Sequence, residues 1–203
     1  VLIVTATREH LLMSSPLKLA LIYGSARDGR LCDTVAQWAE REINAHGGFG
    51  IDILDPVARD VSRAIAGGDD VARQSLEQRI GNADAFIVVV PEYNHSFPAP
   101  LKALIDSASA EWQAKPVAFV SYGGISGGLR AVEHLRGVFA ELHAVGIRDT
   151  VSFANAWNLF GDDGALKDPA NAQQAMTVML NRLAWWTSAL RNARSRQAYA
   201  EAA

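Results

Sequence analysis

AFIVVVPEYNHSFPAP, residues 85–100, carries the strongest structural signal in the sequence. Its first six residues are apolar and mostly β-branched, which is typical of a short strand buried on both faces of a sheet. Three prolines within the next ten residues stiffen the chain, because each fixes its own φ angle and restricts the residue before it. Residues 100–107 then follow a helical pattern. The stretch therefore predicts a buried strand, a rigid loop and a helix.

The chain on both sides of this stretch repeats the alternation of strand and helix. Apolar runs predict strands at residues 17–23 and 117–121, and alternation of apolar and polar residues predicts one at 49–54. A fifth strand is expected at 147–153. Apolar residues at helical spacing predict helices at residues 33–46, 71–80, 129–142 and 176–190. Residues 55–70 show no regular pattern and are broken by Pro56 and by Gly67-Gly68. The whole predicts an α/β fold in which a doubly wound, five-stranded parallel sheet has helices on both faces.

The length of 203 residues fits one domain, and no internal repeat or linker divides it. We expect the domain at residues 16–193, preceded by an extension at 1–15 and followed by a polar tail at 194–203. The extension is expected to lie outside the core, because termini are usually loosely held. The alternative is an extra edge strand or an arm that reaches a partner subunit.

Composition excludes several classes of function. The formal net charge is −3, so no excess of positive charge draws the chain to nucleic acid or to an anionic membrane. The single cysteine, Cys32, excludes an internal disulfide and a cysteine-rich zinc site. The apolar run at residues 1–6 is too short for a signal peptide or a membrane span. We expect a cytoplasmic protein with no nucleic-acid partner and no membrane partner.

Ligands of such sheets bind beyond the carboxyl ends of the strands, which directs attention to the loops after Tyr23, Val90 and Ser121. The first of these loops, GSARDGR at 24–30, opens a helix whose amide groups carry partial positive charge. Ser25 can donate a hydrogen bond, and Arg27 and Arg30 can clamp phosphate oxygens. The pattern matches neither an ATP-binding loop nor the NAD-binding turn. The alternative is an ordinary turn with two solvated arginines.

The other two loops suit a planar ligand. The rigid second loop can present backbone groups to a flat heterocycle, to which Tyr93 offers an aromatic face and Asn94 a donor and an acceptor. The third loop, SYGGISGG at 121–128, contains four glycines that permit a close approach of the backbone. The alternative for the second loop is that Pro98 and Pro100 only set the entry into a helix. The alternative for the third loop is a flexible connector before a helix.

Together the three loops resemble the NADPH-dependent FMN reductase family, which includes quinone, chromate and azo-dye reductases. The resemblance rests on GSARDGR at 24–30, PEYNHSFPAPLKALID at 91–106 and SYGGISGGLRAVEHLR at 121–136, and it covers residues 17 to 190. The sequence departs from many members at Leu31-Cys32-Asp33, where these have a Ser-x-Asn signature. The resemblance implies a flavodoxin-like sheet of strand order 2-1-3-4-5 with FMN at its carboxyl edge.

The resemblance also implies the roles of individual residues. The FMN phosphate would be held by Ser25, Arg27 and Arg30. The isoalloxazine ring would be lined by Pro91, Glu92, Tyr93 and Asn94, and its pyrimidine side by Ser121, Tyr122, Gly123 and Gly124. Hydride would pass from NADPH or NADH through FMN to quinone-like acceptors, or reduced FMN would serve a partner monooxygenase. No catalytic side chain is needed, and the protein would be a homodimer or a dimer of dimers.

Two other functions remain open at this point. A flavodoxin-type electron carrier would bind FMN without oxidising NAD(P)H, and an interaction module would bind no flavin. The sequence leaves the choice between NADPH and NADH open as well. Cys32 and Trp186 are expected to pack in the interior, and His95 is expected to be a solvated loop residue. Trp112 is expected in the core or at an interface. Trp185 is expected to face a neighbouring subunit.

Overall fold

The computed structural model describes residues 16–202, which form five strands and six α-helices. The strands are β1 (Leu17–Tyr23), β2 (Phe49–Leu54), β3 (Ala85–Pro91), β4 (Pro116–Gly123) and β5 (Val145–Ala154). The helices are α1 (Cys32–His46), α2 (Arg59–Ala66), α3 (Asp70–Asn82), α4 (Ala99–Asp106), α5 (Leu129–Glu141) and α6 (Ala170–Arg196). Short 3₁₀ turns occupy Ala110–Trp112, Ala156–Asn158 and Tyr199–Ala202.

The five strands form one parallel sheet in the order β2-β1-β3-β4-β5. This order confirms the predicted flavodoxin-like topology. From β1 the chain moves outward to β2, then returns past β1 to form β3. The direction of winding therefore reverses between β1 and β3, which is the switch point where such sheets bind their ligands.

Apolar side chains of the sheet point alternately to two cores. Leu19 and Leu21 pack with buried residues of α1 and α6, whereas Ala20 and Ile22 pack with residues of α2, α3, α4 and α5. Every residue of β3 is buried, as its continuous apolar run predicted. Helices on both faces fix the sheet, so its carboxyl edge is a stable base for the loops above it.

The sequence analysis missed α2. This helix has eight residues, of which Val61 and Ala64 are buried, and it ends at Gly67 with a φ angle of 79°. Two buried positions are too few to establish a helical period by pattern alone. The helix exists because those two side chains complete the core formed by α3 and α4.

The chain beyond residue 193 is held against the domain rather than set apart from it. Helix α6 continues to Arg196, and the Arg194 guanidinium donates a hydrogen bond to the carbonyl of Ala114. The Tyr199 hydroxyl lies 2.9 Å from Nδ1 of His143. The predicted extension at 1–15 lies outside the described residues. Among residues 16–202, no helix is both long and apolar enough to cross a membrane.

The tryptophans divide between core and surface. Trp112 is fully buried against Phe86 and Phe139, and its indole donates to the carbonyl of Ile105, so it is a core residue. The prediction that Trp186 packs in the core is wrong, because its side chain is 37% exposed. Thr187 occupies the buried position instead, four residues after buried Leu183. Trp185 is also exposed, as expected for one of two adjacent helical residues.

Strand β5 lies at one edge of the sheet and contains an irregularity. Its pairing with β4 passes from Val117 opposite Gly146 to Phe119 opposite Thr150, so β5 bulges between these points. The bulge releases carbonyl groups from the regular ladder. Arg136 on α5 donates to two of them, with Nη1 2.8 Å from the oxygen of Ile147 and Nη2 3.1 Å from that of Arg148.

Candidate functional site

A cleft of about 320 Å³ opens at the carboxyl edge of the sheet and is lined from four strand ends. Its lining consists of Arg27, Gly29, Arg30, Leu31, Pro91, Glu92, Tyr93, Tyr122, Gly123, Gly124 and Trp157. The three predicted loops therefore meet at one place, and most of the predicted residues line it. A larger cavity of about 580 Å³ between α5, β5 and α6 contains none of them.

Three predicted residues lie outside the cleft lining. Ser25 and Ser121 are fully buried beneath it, and Asn94 is exposed at the tip of the second loop. The Ser25 hydroxyl lies 2.9 Å from the hydroxyl of Tyr93, so it joins the first loop to the second. The backbone amide of Arg27 also donates a hydrogen bond to the Ser25 hydroxyl, over 3.4 Å. Ser25 in this arrangement shapes the first loop from below.

Arg27 presents a cation at the cleft. Its guanidinium carbon lies 4.2 Å from the centre of the Tyr93 ring, a cation–π contact. The residue is exposed, and no ion pair holds it within residues 16–202. Next to it, α1 begins after Leu31, whose side chain has no acceptor with which to cap the first amide groups. An exposed guanidinium beside an uncapped helix start is suited to an anion.

Arg30 has a different environment, and its predicted role as a phosphate clamp is not supported by the geometry. Its guanidinium makes two hydrogen bonds to Asp55, of 2.8 and 2.5 Å, and Nε donates to Asp33 over 2.8 Å. The Arg30 side chain is only 6% exposed. Hydrogen bonding to Asp55 raises the pKa of Arg30 further above its ordinary value. Since its donors are already used, Arg30 holds the first loop to the end of β2.

The second loop contains a tight turn with an uncommon backbone. Tyr93 and Ser96 exchange two backbone hydrogen bonds, of 2.9 and 3.0 Å. The two residues between them, Asn94 and His95, both have positive φ angles, of 51° and 67°. Positive φ angles are uncommon for residues other than glycine, although asparagine and histidine adopt them more often than most. Such strained positions cluster at binding sites, and this turn sets the position of Tyr93 at the cleft.

Glu92 ties the second loop to the third. Its carboxylate accepts hydrogen bonds from the Ser126 hydroxyl at 2.6 Å, the Arg130 guanidinium at 2.7 Å and the Arg130 amide at 3.2 Å. Burial acts to raise the pKa of Glu92, but these hydrogen bonds and the positive charge of Arg130 outweigh it and hold the pKa below its ordinary value. Glu92 therefore stays ionised, and Arg130 balances its charge at the cleft wall.

The third loop depends on its glycines and two serines. The hydroxyl groups of Ser121 and Ser152 both donate to the carbonyl of Gly127, over 2.8 and 2.9 Å. Gly128 has a φ angle of 85°, and a β-carbon there would lie 2.7 Å from the amide nitrogen of Tyr122. Only glycine fits at this position. The loop consequently folds back on β4 and leaves Gly123 and Gly124 to line the cleft.

Two titratable groups, Tyr122 in the cleft wall and Cys32 behind it, are held in their neutral forms. Burial raises the pKa of the Tyr122 phenol and of the Cys32 thiol, so both stay protonated at neutral pH. Cys32 is fully buried and lies 3.8 Å from the carbonyl oxygen of Val89, which confirms that it packs. Residues 16–202 contain no group of three side chains that could hold a metal ion.

The sequence analysis missed two residues at the cleft. Asp55, directly after β2, neutralises Arg30. Trp157, on the 3₁₀ turn after β5, lines the cleft and is 60% exposed. Both follow the ends of predicted strands, at residues 49–54 and 147–153. Extending the search to every strand end would have found them, because all parallel strands of a sheet end at the same edge.

A parallel sheet of order 2-1-3-4-5 with a cleft at its switch point defines a flavodoxin-like α/β protein. A family model described as NADPH-dependent FMN reductase matches residues 17–158, which contain all three loops. The chain belongs to the NADPH-dependent FMN reductase family.

Individual relatives agree with this membership. The chain is 35% identical to an NAD(P)H-dependent FMN reductase of Schizosaccharomyces pombe over 59% of its own length and 64% of that protein's. It is 30% identical to an NAD(P)H-dependent FMN reductase of Pseudomonas aeruginosa over 88% of its own length and 100% of the relative's. The crystal structure of an NADH:FMN oxidoreductase, EMOB, has the same fold at a TM-score of 0.67 and 19% identity, over 82% of this chain and 90% of that one.

Proposed function

We propose that this protein binds FMN in the cleft and oxidises NADPH or NADH, passing the hydride equivalent to quinone-like acceptors or supplying reduced FMN to a partner monooxygenase. One observation carries the proposal. In the cleft of this protein, which belongs to the FMN reductase family, the unpaired cation of Arg27 lies against the aromatic ring of Tyr93. The bare backbone of Gly123 and Gly124 lines the same cleft. The hydride chemistry belongs to FMN when it is bound, since no side chain of the cleft supplies it.

The residues present fit such a cofactor. The cleft is within the size range of small-molecule sites, and two glycines on one wall leave room for the edge of a flat ring. In this proposal Arg27 and the start of α1 hold the phosphate, and Tyr93, Pro91 and Tyr122 surround the ring. Ser25, Arg30, Glu92 and Ser121 hold the loops in place from behind, and Asn94 keeps the second loop in its turn.

We also propose that the protein is a cytoplasmic homodimer or dimer of dimers. Support comes from Trp185 and Trp186, two large exposed side chains packed edge to face on α6, and from the unpaired thiol of Cys32, which suits a reducing compartment. Multi-angle light scattering of the purified protein tests the assembly. A monomer at all concentrations would contradict it.

The function is tested by following NADPH and NADH oxidation by the purified protein, with and without added FMN, and by recording its visible absorption spectrum. We expect oxidation that depends on FMN. The spectrum of the purified protein separates a tightly held flavin from one that leaves as product. Bound FMN without NAD(P)H oxidation would instead indicate the electron carrier, and no binding of FMN would indicate the interaction module.

A further inference from the structure

Trp157 occupies an unusual position for a tryptophan. It lines the cleft, yet 60% of its surface is exposed, whereas Tyr122 in the same cleft is only 6% exposed. A β-carbon placed on Gly124 would lie 3.7 Å from Cη2 of Trp157, so the six-membered part of the indole lies beside Gly124. The ring therefore lies at the mouth of the cleft, and its apolar surface remains open to a molecule that enters.

The backbone that carries Trp157 is firmly held. The amide of Asn155 donates to the carbonyl of Gly124 over 2.9 Å, and Asn155 itself has left-handed backbone angles of 49° and 47°. Ala156 is fully buried, and Lys167 donates to the carbonyl of Asn158 over 2.9 Å. An exposed aromatic ring on a fixed backbone has little conformational freedom to lose when a ligand packs on it.

We propose that Trp157 selects planar aromatic electron acceptors by packing against their rings at the mouth of the cleft. The proposal rests on the proposed function, and it names Trp157 as the residue that determines which class of electron acceptor the protein uses. One feature separates the acceptor from the cofactor as the ligand of Trp157, and a second indicates the chemistry of that acceptor. The residue lies at the rim, where a molecule that enters and leaves in each cycle must pass. Its large exposed ring offers apolar surface, which favours a flat aromatic molecule over a small inorganic ion.

The test compares 1,4-naphthoquinone, which is flat and aromatic, with ferricyanide, which is neither. Trp157→Ala and Trp157→Phe are the test variants. The control is Tyr199→Ala, which removes an exposed aromatic side chain that packs on His143, outside the cleft. Equilibrium binding of 1,4-naphthoquinone is measured on oxidised protein with and without FMN, where no electron transfer occurs. Steady-state NADPH oxidation is then followed with each acceptor.

We expect Trp157→Ala to weaken 1,4-naphthoquinone binding about three- to tenfold and to raise its KM by a similar factor. Trp157→Phe should recover most of the loss, and Tyr199→Ala should match the unmodified protein. The ferricyanide parameters should stay unchanged in every variant.

Two results would overturn the inference. One is unchanged 1,4-naphthoquinone binding in Trp157→Ala. The other is an equal loss with both acceptors, which would mean that Trp157 maintains the shape of the cleft without selecting the acceptor. Failure of the proposed function is recognised separately, because the unmodified protein would then oxidise neither NADPH nor NADH. The binding measurement on oxidised protein would still decide the role of Trp157.

Discussion

Arg27 and Arg30 belong to the same loop and have opposite environments. Arg27 is exposed and stacks on Tyr93, whereas Arg30 is buried and bound by Asp33 and Asp55. Their sequence positions do not distinguish them. The difference arises from Asp55, which the topology brings to Arg30 from the end of β2. A positive charge with two carboxylate partners is part of the protein's own structure, and one without a partner is available to a ligand.

Replacing each arginine by alanine should therefore have different effects. Arg27→Ala should weaken FMN binding by roughly 1.5–3 kcal/mol, because it removes a charge-assisted contact to the phosphate, and should leave the free energy of unfolding unchanged. Arg30→Ala should lower the free energy of unfolding by about 3 kcal/mol, since it leaves the half-buried Asp55 carboxylate without a positive charge beside it. Flavin fluorescence titration and urea unfolding measure the two quantities. Unchanged FMN affinity in a folded Arg27→Ala protein would contradict the phosphate assignment.

At the scale of elements, the link between β4 and α5 determines the shape of the cleft. Gly127 and Gly128 both have positive φ angles and fold the chain tightly over Ser121 and Tyr122. The hydrogen bond that the Ser126 hydroxyl donates to Glu92 then joins this link to the loop after β3. The two loops consequently behave as one rigid wall, which is what a site that binds a flat ring requires.

Gly128→Ala should break this wall. The added β-carbon would come within 2.7 Å of backbone, at a φ angle that alanine rarely adopts, so we expect a loss of at least about 2 kcal/mol in unfolding free energy. FMN affinity should fall as well. Gly137→Ala on α5 is the matched control, because a β-carbon there meets nothing within 4 Å. It should stabilise the protein by about 0.5–1 kcal/mol. Equal stabilities of the two variants in urea would refute the argument.

At the scale of the whole molecule, a buried cation lies at the amino-terminal ends of the strands, opposite the cleft. Lys115, directly before β4, donates to the carbonyls of Ile80 and Gly81 at the end of α3, over 3.0 and 2.8 Å. A cation at a helix C-terminus is favourable, but burial lowers the pKa of Lys115 to about 8, and the nearby charge of Arg194 contributes. The folded protein therefore binds this proton less tightly than the unfolded chain does.

This difference makes stability depend on pH in a defined direction. Between about pH 8 and the ordinary lysine pKa near 10.4, the unfolded chain holds the proton and the folded protein releases it, so stability rises with pH. Relative to Lys115→Met, the unmodified protein should gain roughly 2 kcal/mol of unfolding free energy from about pH 7.5 to about pH 9.5. Urea unfolding of both proteins at the two pH values measures this. If the difference in unfolding free energy between the two proteins does not change with pH, Lys115 has an ordinary pKa.

The sequence predicted the features that depend on local pattern. All five strands were predicted because each shows a local strand pattern, such as the continuous apolar run of β3 or the alternation of β2, and the strand ends located the cleft. Features that depend on distant partners were not predicted. Arg30 looked like Arg27 until the structure brought Asp55 to it, and α2 buries too few residues to show a period. Trp157 was missed because the loop search ended before β5.

The bulge in β5 has a consequence for how the protein behaves when concentrated. An outer strand with evenly spaced backbone groups is a template on which another molecule can add a strand, and stacked additions lead to insoluble aggregates. In β5 the even spacing fails between Gly146 and Thr150, and Arg136 already uses the carbonyls of Ile147 and Arg148. An incoming strand would find no continuous row of partners there. One irregular segment and one arginine thus protect the β5 side of the sheet from unwanted growth.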